Sequence, residues 1–391
     1  MRADVIIVGG GLAGSAAAWE LTRRGRDVVV LEAFEPGHRR GSSHGSARIF
    51  RRAYPDPLYV TLTGVARRLW SELEDEAGEE LIRVTGAVDF GPPRPKAQAD
   101  STQPDPEKMH EILTAQHVPA ELLTATEAAE RWPGITFDPR HPVLFHPEGG
   151  VIDADRAVAA MQRLATQRGA GIRHNTPVTG IDADGTVRTA DAEFTAPVVV
   201  VAAGAWLEPL LGHLVRLPRL VVTQVDVFHF APAEAGTLAS GPTWICTEAP
   251  SMYGLPSGAD SPGAVKVGAH YLRTVTTGDD RDNVVNPAVR DQVLQFVRAK
   301  INGLSSTPIA ELTCLYTSTT SEDFVLDRRG PFVVASVCSG HGAKFAPLAG
   351  RIIADLAEGR AATHRRFSLA ELPATFPTQS ASLLAGVRHR P

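Results

Sequence analysis

A glycine-rich turn near the start of the chain limits its possible folds more than any other feature of the sequence. β-Branched residues at 5–8 lead into the segment 9–14, GGGLAG, which has the spacing G-x-G-x-x-G and opens an alanine-rich stretch. In such a turn Gly9 allows the tight bend, Gly11 lets the backbone approach a pyrophosphate, and Gly14 lets helix and strand pack closely. The pattern predicts a strand, a turn and a helix that together bind a dinucleotide.

The next segment strengthens this prediction. Residues 28–31 (VVVL) predict a second strand, which ends on Glu32. The free N–H groups and partial positive charge at the start of the first helix suit phosphates. A carboxylate at Glu32 can accept hydrogen bonds from ribose hydroxyls and disfavours a 2′-phosphate. FAD and NAD both satisfy the pattern, and a glycine-rich turn in an ordinary α/β fold is the alternative without a ligand.

Composition excludes several classes of protein. The 391 residues are 43% hydrophobic and 21% charged, which is ordinary for one large or two medium domains. The net charge of −5, from 39 basic and 44 acidic residues, argues against a nucleic-acid partner. No apolar run approaches the ~20 residues of a membrane span, and the first strand leaves no room for a signal peptide. The cysteines Cys246, Cys314 and Cys338 lack metal-ligand spacing, so we expect no metal and a cytoplasmic location.

Patterning along the chain predicts helices and strands of two kinds. Leucines and valines at 58–73 predict an amphipathic helix, and Asp153 predicts the N-cap of another. The run VVVV at 198–201 is typical of a parallel strand buried on both faces. Alternation at 221–230 predicts an antiparallel sheet with one solvent-facing side, and the proline-rich stretch 91–106 predicts an exposed loop.

Two segments near the C-terminus combine unusual residues. Cys314 stands far from the other cysteines, and Lys344 follows a run of small residues at 339–343. Small residues let a backbone approach a flat ligand closely, and the lysine would place a positive charge beside that ligand. A buried structural cysteine and a surface lysine are the alternative interpretation.

Two other segments concentrate charge. Residues 44–54, HGSARIFRRAY, carry three arginines, which could equally form a solvated surface. Residues 264–270, AVKVGAH, predict a strand, and alternation then places Lys266, Gly268 and His270 on one face. A lysine and a histidine on either side of a glycine would leave a gap for a ring. The alternative is an exposed strand face.

Together and in this order, these segments resemble one family closely: the monomeric sarcosine oxidase and N-methyltryptophan oxidase group of FAD-dependent amine oxidases. The resemblance covers nearly the full chain, from the glycine-rich turn to Phe345. The run from Ser43 to Tyr54 resembles the family's signature beside the flavin, and Lys266 lies in a segment that resembles the strand whose lysine faces the flavin ring. This resemblance therefore implies FAD as the cofactor.

The resemblance also implies residue roles. Cys314 would bond covalently through sulfur to the flavin 8α carbon, and Arg51 and Lys344 would hold a substrate carboxylate. Tyr253 would contact the substrate, and Trp244, which precedes it, could shape the pocket. The side chains expected to act in catalysis are Lys266, His270, Arg48, His44 and Tyr316. The residues expected to contact the cofactor are Gly9, Gly11, Gly14, Glu32, Ser43, His44, Val178, Gly204, Cys314, Gly340, Gly342 and Lys344.

The implied fold is α/β, with a Rossmann-like FAD-binding domain interleaved with an antiparallel-sheet substrate-binding domain. The FAD-binding domain is expected to comprise residues 1–85, 146–220 and 326–375. The substrate-binding domain would comprise residues 86–145 and 221–325, with a loosely held tail at 376–391.

The implied reaction is oxidation of the C–N bond of a secondary-amine amino acid, such as an N-methyl amino acid, by oxygen. The imine formed would hydrolyse to an aldehyde and an amine, with hydrogen peroxide as the second product. A cation at Lys266 would stabilise the negative charge that develops as oxygen is reduced. The expected partners are a small amino acid and oxygen, and the expected state is a monomer.

Two departures from the family pattern leave the substrate open. Ala343 stands where the best-known members carry a bulky aromatic residue, and Ser43 where they often carry a histidine. A wider pocket would suit larger N-methyl amino acids or a cyclic imino acid such as pipecolate or proline. A nicotinamide-dependent dehydrogenase and a non-catalytic flavin-binding subunit are the alternatives from other classes.

Overall fold

The computed structural model describes residues 1–92, 106–232, 238–360, 364–370 and 387–388. The helices in these ranges are α1 (Leu12–Arg23), α2 (Pro57–Ala77), α3 (Pro106–Ala115), α4 (Ala125–Arg131), α5 (Ala154–Gln167), α6 (Leu207–Leu211), α7 (Pro287–Lys300) and α8 (Ala346–Ala357). None of them is both long and apolar enough to cross a bilayer.

A six-stranded sheet carries the glycine-rich turn. Its strands, in chain order, are β1 (Val5–Val8), β2 (Val28–Leu31), β9 (Gly171–Arg173), β13 (Val198–Val201), β19 (Val325–Arg329) and β20 (Phe332–Ser336). The spatial order is β19-β20-β13-β1-β2-β9, and all pairs are parallel except β19 with β20. β1 lies between β2 and β13, so the turn after β1 lies in the middle of the carboxyl edge, where ligands bind in open parallel sheets.

A larger and mostly antiparallel sheet forms the other half of the molecule. Its strands are β5 (Ala87–Phe90), β6 (Glu121–Leu123), β7 (Val143–His146), β14 (Val221–Phe230), β15 (Thr243–Cys246), β16 (Met252–Pro256), β17 (Val265–Val275), β18 (Ala310–Ser318) and β21 (Val387–Arg388). They run in the order β18-β14-β17-β16-β15-β5-β7-β6, with β21 beside β17. The parallel and antiparallel sheets confirm the predicted α/β fold class, whereas the division into domains stays a prediction.

Two small sheets complete the described chain. One contains β3 (Arg48–Phe50), β4 (Ile82–Val84) and β8 (Gly150–Ile152), and the other β10 (Val178–Ile181), β11 (Val187–Thr189) and β12 (Glu193–Phe194). The predicted N-cap is present at α5, where the Asp153 side chain accepts a hydrogen bond from the backbone N–H of Arg156.

The sequence predicts an exposed strand face, an exposed loop and a loosely held tail. The prediction that β14 has one solvent-facing side is wrong, because residues 223–230 are all buried: one face packs into a core with α7 and the other lines a cavity. Most of the expected loop at 91–106 and of the expected tail at 376–391 lies outside the described residues.

Helices α1 and α8 cross at small residues. A Cβ atom added at Gly350 would lie 2.5 Å from the carbonyl carbon and oxygen of Ala16. Since these are backbone atoms of a helix, they cannot move aside as a flexible side chain would. The crossing fixes α8 against the helix that begins at the glycine-rich turn.

Gly350→Ala is therefore expected to destabilise the protein by about 1–3 kcal/mol, the usual cost of overpacking a tight contact. Thermal or urea unfolding measures the effect. Gly180→Ala is the control: nothing lies within 4 Å of a Cβ there, so we expect a change within about 0.5 kcal/mol. Equal stability of the two variants would show that the α1–α8 crossing can relax.

Candidate active site

A single cavity of about 710 Å³ joins the glycine-rich turn to the large sheet. Its volume lies within the range of small-molecule and cofactor sites. Of the residues expected from sequence, those that line it are Gly9, Gly11, Glu32, Ser43, Arg48, Arg51, Val178, Gly204, Tyr253, Lys266, His270, Cys314, Tyr316, Gly340, Gly342 and Lys344. The structure does not place Gly14, His44 or Trp244 on the cavity wall.

Each glycine of the turn is required for a different structural reason. Gly9 has φ +101°, and a Cβ there would lie 2.6 Å from the Ala202 carbonyl oxygen. At Gly11 the Cβ would lie 2.8 Å from Ser43 Oγ, which accepts a hydrogen bond from the Leu12 N–H at 3.0 Å. A Cβ at Gly14 would overlap the Gly9 carbonyl oxygen. Gly14 therefore acts through helix–strand packing and not through contact with a ligand.

Glu32 is buried at the end of β2 and is already engaged by the protein. Its carboxylate accepts hydrogen bonds from the N–H groups of Gly10 at 2.6 Å and Phe34 at 3.1 Å, and His38 Nε2 lies 3.3 Å away. Although burial raises the pKa of Glu32, these contacts, led by His38, lower it overall. An ionised carboxylate has about four acceptor positions, so capacity for a ribose hydroxyl remains.

The register of the large sheet determines which side chains face the cavity. Gly268 pairs with Tyr253 on one side and Val227 on the other, and Lys266, Gly268 and His270 share the cavity face as alternation predicts. The expected gap over Gly268 is filled by the protein itself, because a Cβ there would lie 2.7 Å from Cζ of the Tyr253 ring. The glycine therefore makes room for Tyr253.

The expectation that Trp244 shapes the substrate pocket is wrong. Its neighbour Ile245 pairs with Tyr253 and lines the cavity, so alternation turns Trp244 to the opposite face. There the indole is 2% exposed and stacks on Phe296 of α7 with ring centroids 5.7 Å apart. A cross-strand glycine, Gly254, provides the space for that ring.

Cys314 lies on β18 close to three basic side chains. The Arg48 Nη2 atom is 3.6 Å from its sulfur, and His44 and Lys266 are close enough to act on its charge. Burial raises the pKa of the Cys314 thiol, but His44 and Arg48, followed by Lys266, outweigh burial and lower it to about 5. Cys314 is therefore a thiolate at neutral pH, and the thiolate is the nucleophilic form.

His44 acts from behind the cavity wall. It is 8% exposed, and its backbone carbonyl accepts a hydrogen bond from Arg48 Nη2. It therefore holds the arginine that approaches Cys314 and adds its own imidazole beside the sulfur. The structure gives it contact with Cys314 and Arg48, and not with the cavity itself.

Lys266 is buried on the cavity face of β17. Its Nζ atom donates a hydrogen bond to the Ala47 carbonyl at 3.2 Å. Burial, together with the charge of Arg48, lowers the pKa of Lys266 to about 7. Its ionisation is therefore sensitive to any negative group that enters the cavity.

Arg51 and Lys344 form a second group of buried cations. The Arg51 guanidinium carbon lies 5.0 Å and the Lys344 Nζ atom 5.7 Å from the centroid of the Tyr54 ring. Lys344 Nζ donates to the His341 carbonyl at 3.0 Å, and Arg51 Nη1 lies 3.2 Å from Asp89 Oδ1. Burial, and then the charge of Arg51, lowers the pKa of Lys344 well below its usual value.

A hydrogen-bond chain supports this second group. His341 Nε2 lies 2.9 Å from the Glu322 carbonyl oxygen, which can only accept, so Nε2 carries the proton. His341 Nδ1 then accepts from the Tyr54 hydroxyl at 3.0 Å. Burial and the charge of Lys344 lower the pKa of His341 to about 3, consistent with this neutral form. Tyr54 is thereby fixed beneath both cations.

Sequence reasoning missed Asp89 and Glu322. Asp89 is 1% exposed and pairs with Arg51, and Glu322 is a buried carboxylate on the cavity wall, 3.6 Å from Arg273. The sequence signal for Asp89 is an acidic residue inside the otherwise apolar strand Ala87–Phe90. No pattern marks Glu322, because its position depends on a left-handed backbone with φ +60°.

The residues present fit an FAD. The backbone of Gly9 and Gly11 lines the cavity, Glu32 retains acceptor capacity, and the cavity continues from them to Cys314. An activated thiolate and a buried lysine at that end suit an electron-poor ring that gains negative charge on reduction.

Comparison with known proteins agrees with this fit. The profile of a family described as FAD dependent oxidoreductase matches residues 4–356. The chain is 34% identical to monomeric sarcosine oxidase of Streptomyces avermitilis, covering 90% of this chain and 93% of the relative. It is 30% identical to N-methyl-L-tryptophan oxidase of Yersinia pestis, covering 92% and 96% of the two chains.

Solved structures show the same architecture. NikD, an unusual amino acid oxidase essential for nikkomycin biosynthesis, superimposes with a TM-score of 0.84 at 27% identity, covering 94% of this chain and 97% of NikD. L-proline dehydrogenase from P. horikoshii gives a TM-score of 0.81, covering 95% and 99% of the two chains; at 21% identity it shows the fold alone.

The charge around Cys314 predicts how its thiol titrates. In cofactor-free protein the alkylation of Cys314 by iodoacetamide should follow a pKa of about 5 and be nearly constant between pH 6 and pH 8. Peptide mass spectrometry at each pH measures it. Cys246 is the internal control, because burial raises the pKa of that thiol to about 12. A Cys314 rate that climbs steeply through pH 8 to 9 would contradict the assigned thiolate.

Proposed function

The chain belongs to the sarcosine oxidase and N-methyl-L-tryptophan oxidase family of FAD-dependent oxidoreductases, and we propose that it oxidises the C–N bond of an N-methyl amino acid held by Arg51 and Lys344. It is an FAD-dependent amine oxidase. One observation carries the choice of substrate class: the cavity that begins at the dinucleotide turn also contains two buried cations.

The two cations give the substrate its orientation. A carboxylate that binds the free donors of Arg51 and the ammonium of Lys344 makes charge-assisted hydrogen bonds, which are stronger than neutral ones. Entry of that anion favours the charged form of Lys344. Holding the carboxylate at one end fixes the position of the carbon beside the amine nitrogen.

The same charges favour the reactive form of the amine. A positive environment disfavours an ammonium group, so the substrate nitrogen more readily releases its proton and keeps its lone pair. When bound, the flavin accepts a hydride equivalent from the substrate and passes the electrons to oxygen, which yields hydrogen peroxide. The imine left behind hydrolyses to an aldehyde and a shorter amine when the N-methyl carbon is the one oxidised.

Cys314 is proposed as the covalent attachment point of the flavin. The support is a nucleophilic thiolate that lines the cavity, held in that form by Arg48 and His44. Lys266 is proposed as the cation that assists the reduction of oxygen, because it is buried at the same end and its charge lies beside Cys314.

A substrate larger than sarcosine is favoured by Ala343. This residue lines the cavity next to Lys344, so its methyl group leaves space that a bulkier side chain would occupy. A cyclic imino acid such as pipecolate or proline is the second candidate, since it presents the same carboxylate and secondary amine. A nicotinamide-dependent dehydrogenase is not supported, because the matching family uses FAD.

We also propose a monomer, since residues of one chain line both the dinucleotide turn and the cation pair. The cytoplasmic location and the lack of a nucleic-acid or membrane partner stay predictions.

The proposed attachment predicts that the yellow colour stays with the polypeptide after acid precipitation. Cys314→Ser should leave the flavin extractable, because a hydroxyl at that place is neither ionised nor a comparable nucleophile. Cys338→Ser is the matched control: that cysteine also lines the cavity and should keep its flavin bound. Complete release of flavin from the parent protein would overturn the attachment.

The proposed clamp predicts that Lys344→Ala lowers kcat/KM for N-methyl amino acids by about 10- to 150-fold, from the loss of one charge-assisted contact worth roughly 1.5–3 kcal/mol. Peroxide release from sarcosine, N-methyltryptophan, N-methylalanine, pipecolate and proline measures it. Lys300→Ala, which removes a lysine paired with Glu248 outside the cavity, should have little effect.

Amines without a carboxylate separate the clamp from general damage. They should be poor substrates of the parent protein and lose much less on Lys344→Ala than amino acids do. If simple alkylamines were oxidised as fast as amino acids by the parent protein, the carboxylate clamp would be wrong.

A further inference from the structure

A buried carboxylate stands directly behind the arginine that is proposed to bind substrate. Asp89 is 1% exposed, and its Oδ1 atom lies 3.2 Å from Arg51 Nη1. Arg51 lines the cavity whereas Asp89 does not. The guanidinium therefore lies between an internal anion on one side and the cavity on the other.

The sheet register explains why the acid is there. Asp89 pairs with Leu144 on one side and with Ile245 on the other. Ile245 lines the cavity, and residues paired across a sheet share a face. Asp89 thus points to the same side as the cavity-lining residues, but farther along the sheet, where Arg51 covers it.

Two other titratable groups at this wall come from β7 and from the short turn before α8. On β7, His146 pairs with Ala87 and so lies on the face of Asp89; burial and the charges of Arg51 and Arg52 lower its pKa to about 3, which keeps it neutral. Lys344 approaches Arg51 from the short turn before α8. Glu322, another buried carboxylate of the cavity wall, lies 3.6 Å from Arg273, so Asp89 is the carboxylate that pairs with Arg51.

We propose that Asp89 is a positioning residue that fixes the orientation of Arg51 and offsets its charge, so that a substrate carboxylate binds Arg51 against the repulsion of an internal carboxylate. The inference rests on the proposed clamp and adds a determinant of specificity to it. The wall accepts a single negative charge on the substrate and resists a second one.

The arrangement makes carboxylate binding depend on pH. Burial raises the pKa of Asp89 to about 6, against the lowering effect of Arg51. Below that pH Asp89 is protonated, the charge of Arg51 is not offset, and a carboxylate binds more tightly. As the pH rises through 6, Asp89 ionises and the affinity falls.

Asp89→Asn tests the inference, because asparagine keeps an oxygen that accepts from Arg51 but carries no charge. We expect the variant to bind methoxyacetate more tightly than the parent holoenzyme by about 3- to 10-fold at pH 8. This is the scale of the partly screened repulsion between the Asp89 carboxylate and the carboxylate of the ligand. At pH 5 the two proteins should differ by less than about 2-fold. Calorimetry gives the dissociation constants, and steady-state kinetics should show the same change in KM with kcat nearly unchanged.

Lys344→Met provides the control for pH, since Lys344 is the other titratable group that meets the ligand. The loss of affinity through pH 6 should persist in that variant, whereas Asp89→Asn should keep only the pH dependence that Lys344 contributes. If Lys344→Met abolishes the pH dependence and Asp89→Asn retains it, the inference is overturned. Weaker binding by Asp89→Asn, equal at both pH values, would show a purely structural role and overturn it as well.

The outcomes distinguish this inference from the proposed function. Turnover of N-methyl amino acids together with unchanged binding by Asp89→Asn would overturn the role of Asp89 alone. A parent enzyme that binds no carboxylate would overturn the clamp and, with it, this inference. Should Asp89→Asn not fold, the pH profile of Lys344→Met decides: a fall in affinity through pH 6 supports Asp89, and a flat profile contradicts it.

Discussion

Buried positive charge is the constraint on which the rest of this site depends. Lys266, Arg51 and Lys344 are buried around one cavity, and Arg48 is partly buried there. Unpaired charges in such a place are costly. Nearby anions and lowered lysine pKa values reduce this cost. Cys314 takes the thiolate form, Asp89 pairs with Arg51, and both lysines have lowered pKa values.

The two sheets place these charges by different means. The parallel sheet brings the glycine-rich turn to its carboxyl edge, where glycine backbone lines the cavity. The antiparallel sheet uses register: paired strands carry Ile245, Tyr253 and Lys266 to one face and Trp244 to the other. A shift of one residue in β16 would turn Tyr253 into the core behind the sheet, and the same shift in β17 would turn Lys266 there.

The sequence was sufficient for the features that depend on local pattern. The turn, Glu32, the alternation around Lys266 and the parallel strand at 198–201 all follow from spacing, and the structure has them. It was insufficient where partners are distant in the chain. Local pattern predicts the wrong face for Trp244, because only the register between β15 and β16 decides which face it takes. The pairing of Asp89 with Arg51 depends on a contact between distant segments that no local pattern encodes. The prediction of a solvent-facing side on β14 is wrong for the same reason, since other elements cover both faces of that strand.

The charges on the cavity wall also differ between its two ends, so each end suits a different partner. Near Cys314, the side chains of His44, Arg48 and Lys266 act on the charge of one thiolate, at the end of the cavity proposed for a ring that becomes anionic on reduction. Near Arg51, the guanidinium is offset by the Asp89 carboxylate, and burial together with the charge of Arg51 lowers the pKa of Lys344. The Asp89 carboxylate reduces the desolvation cost of two neighbouring basic side chains, and a bound carboxylate would favour the charged form of Lys344. The attraction at the proposed substrate end therefore strengthens as the ligand binds, whereas at the other end it is built into the fold.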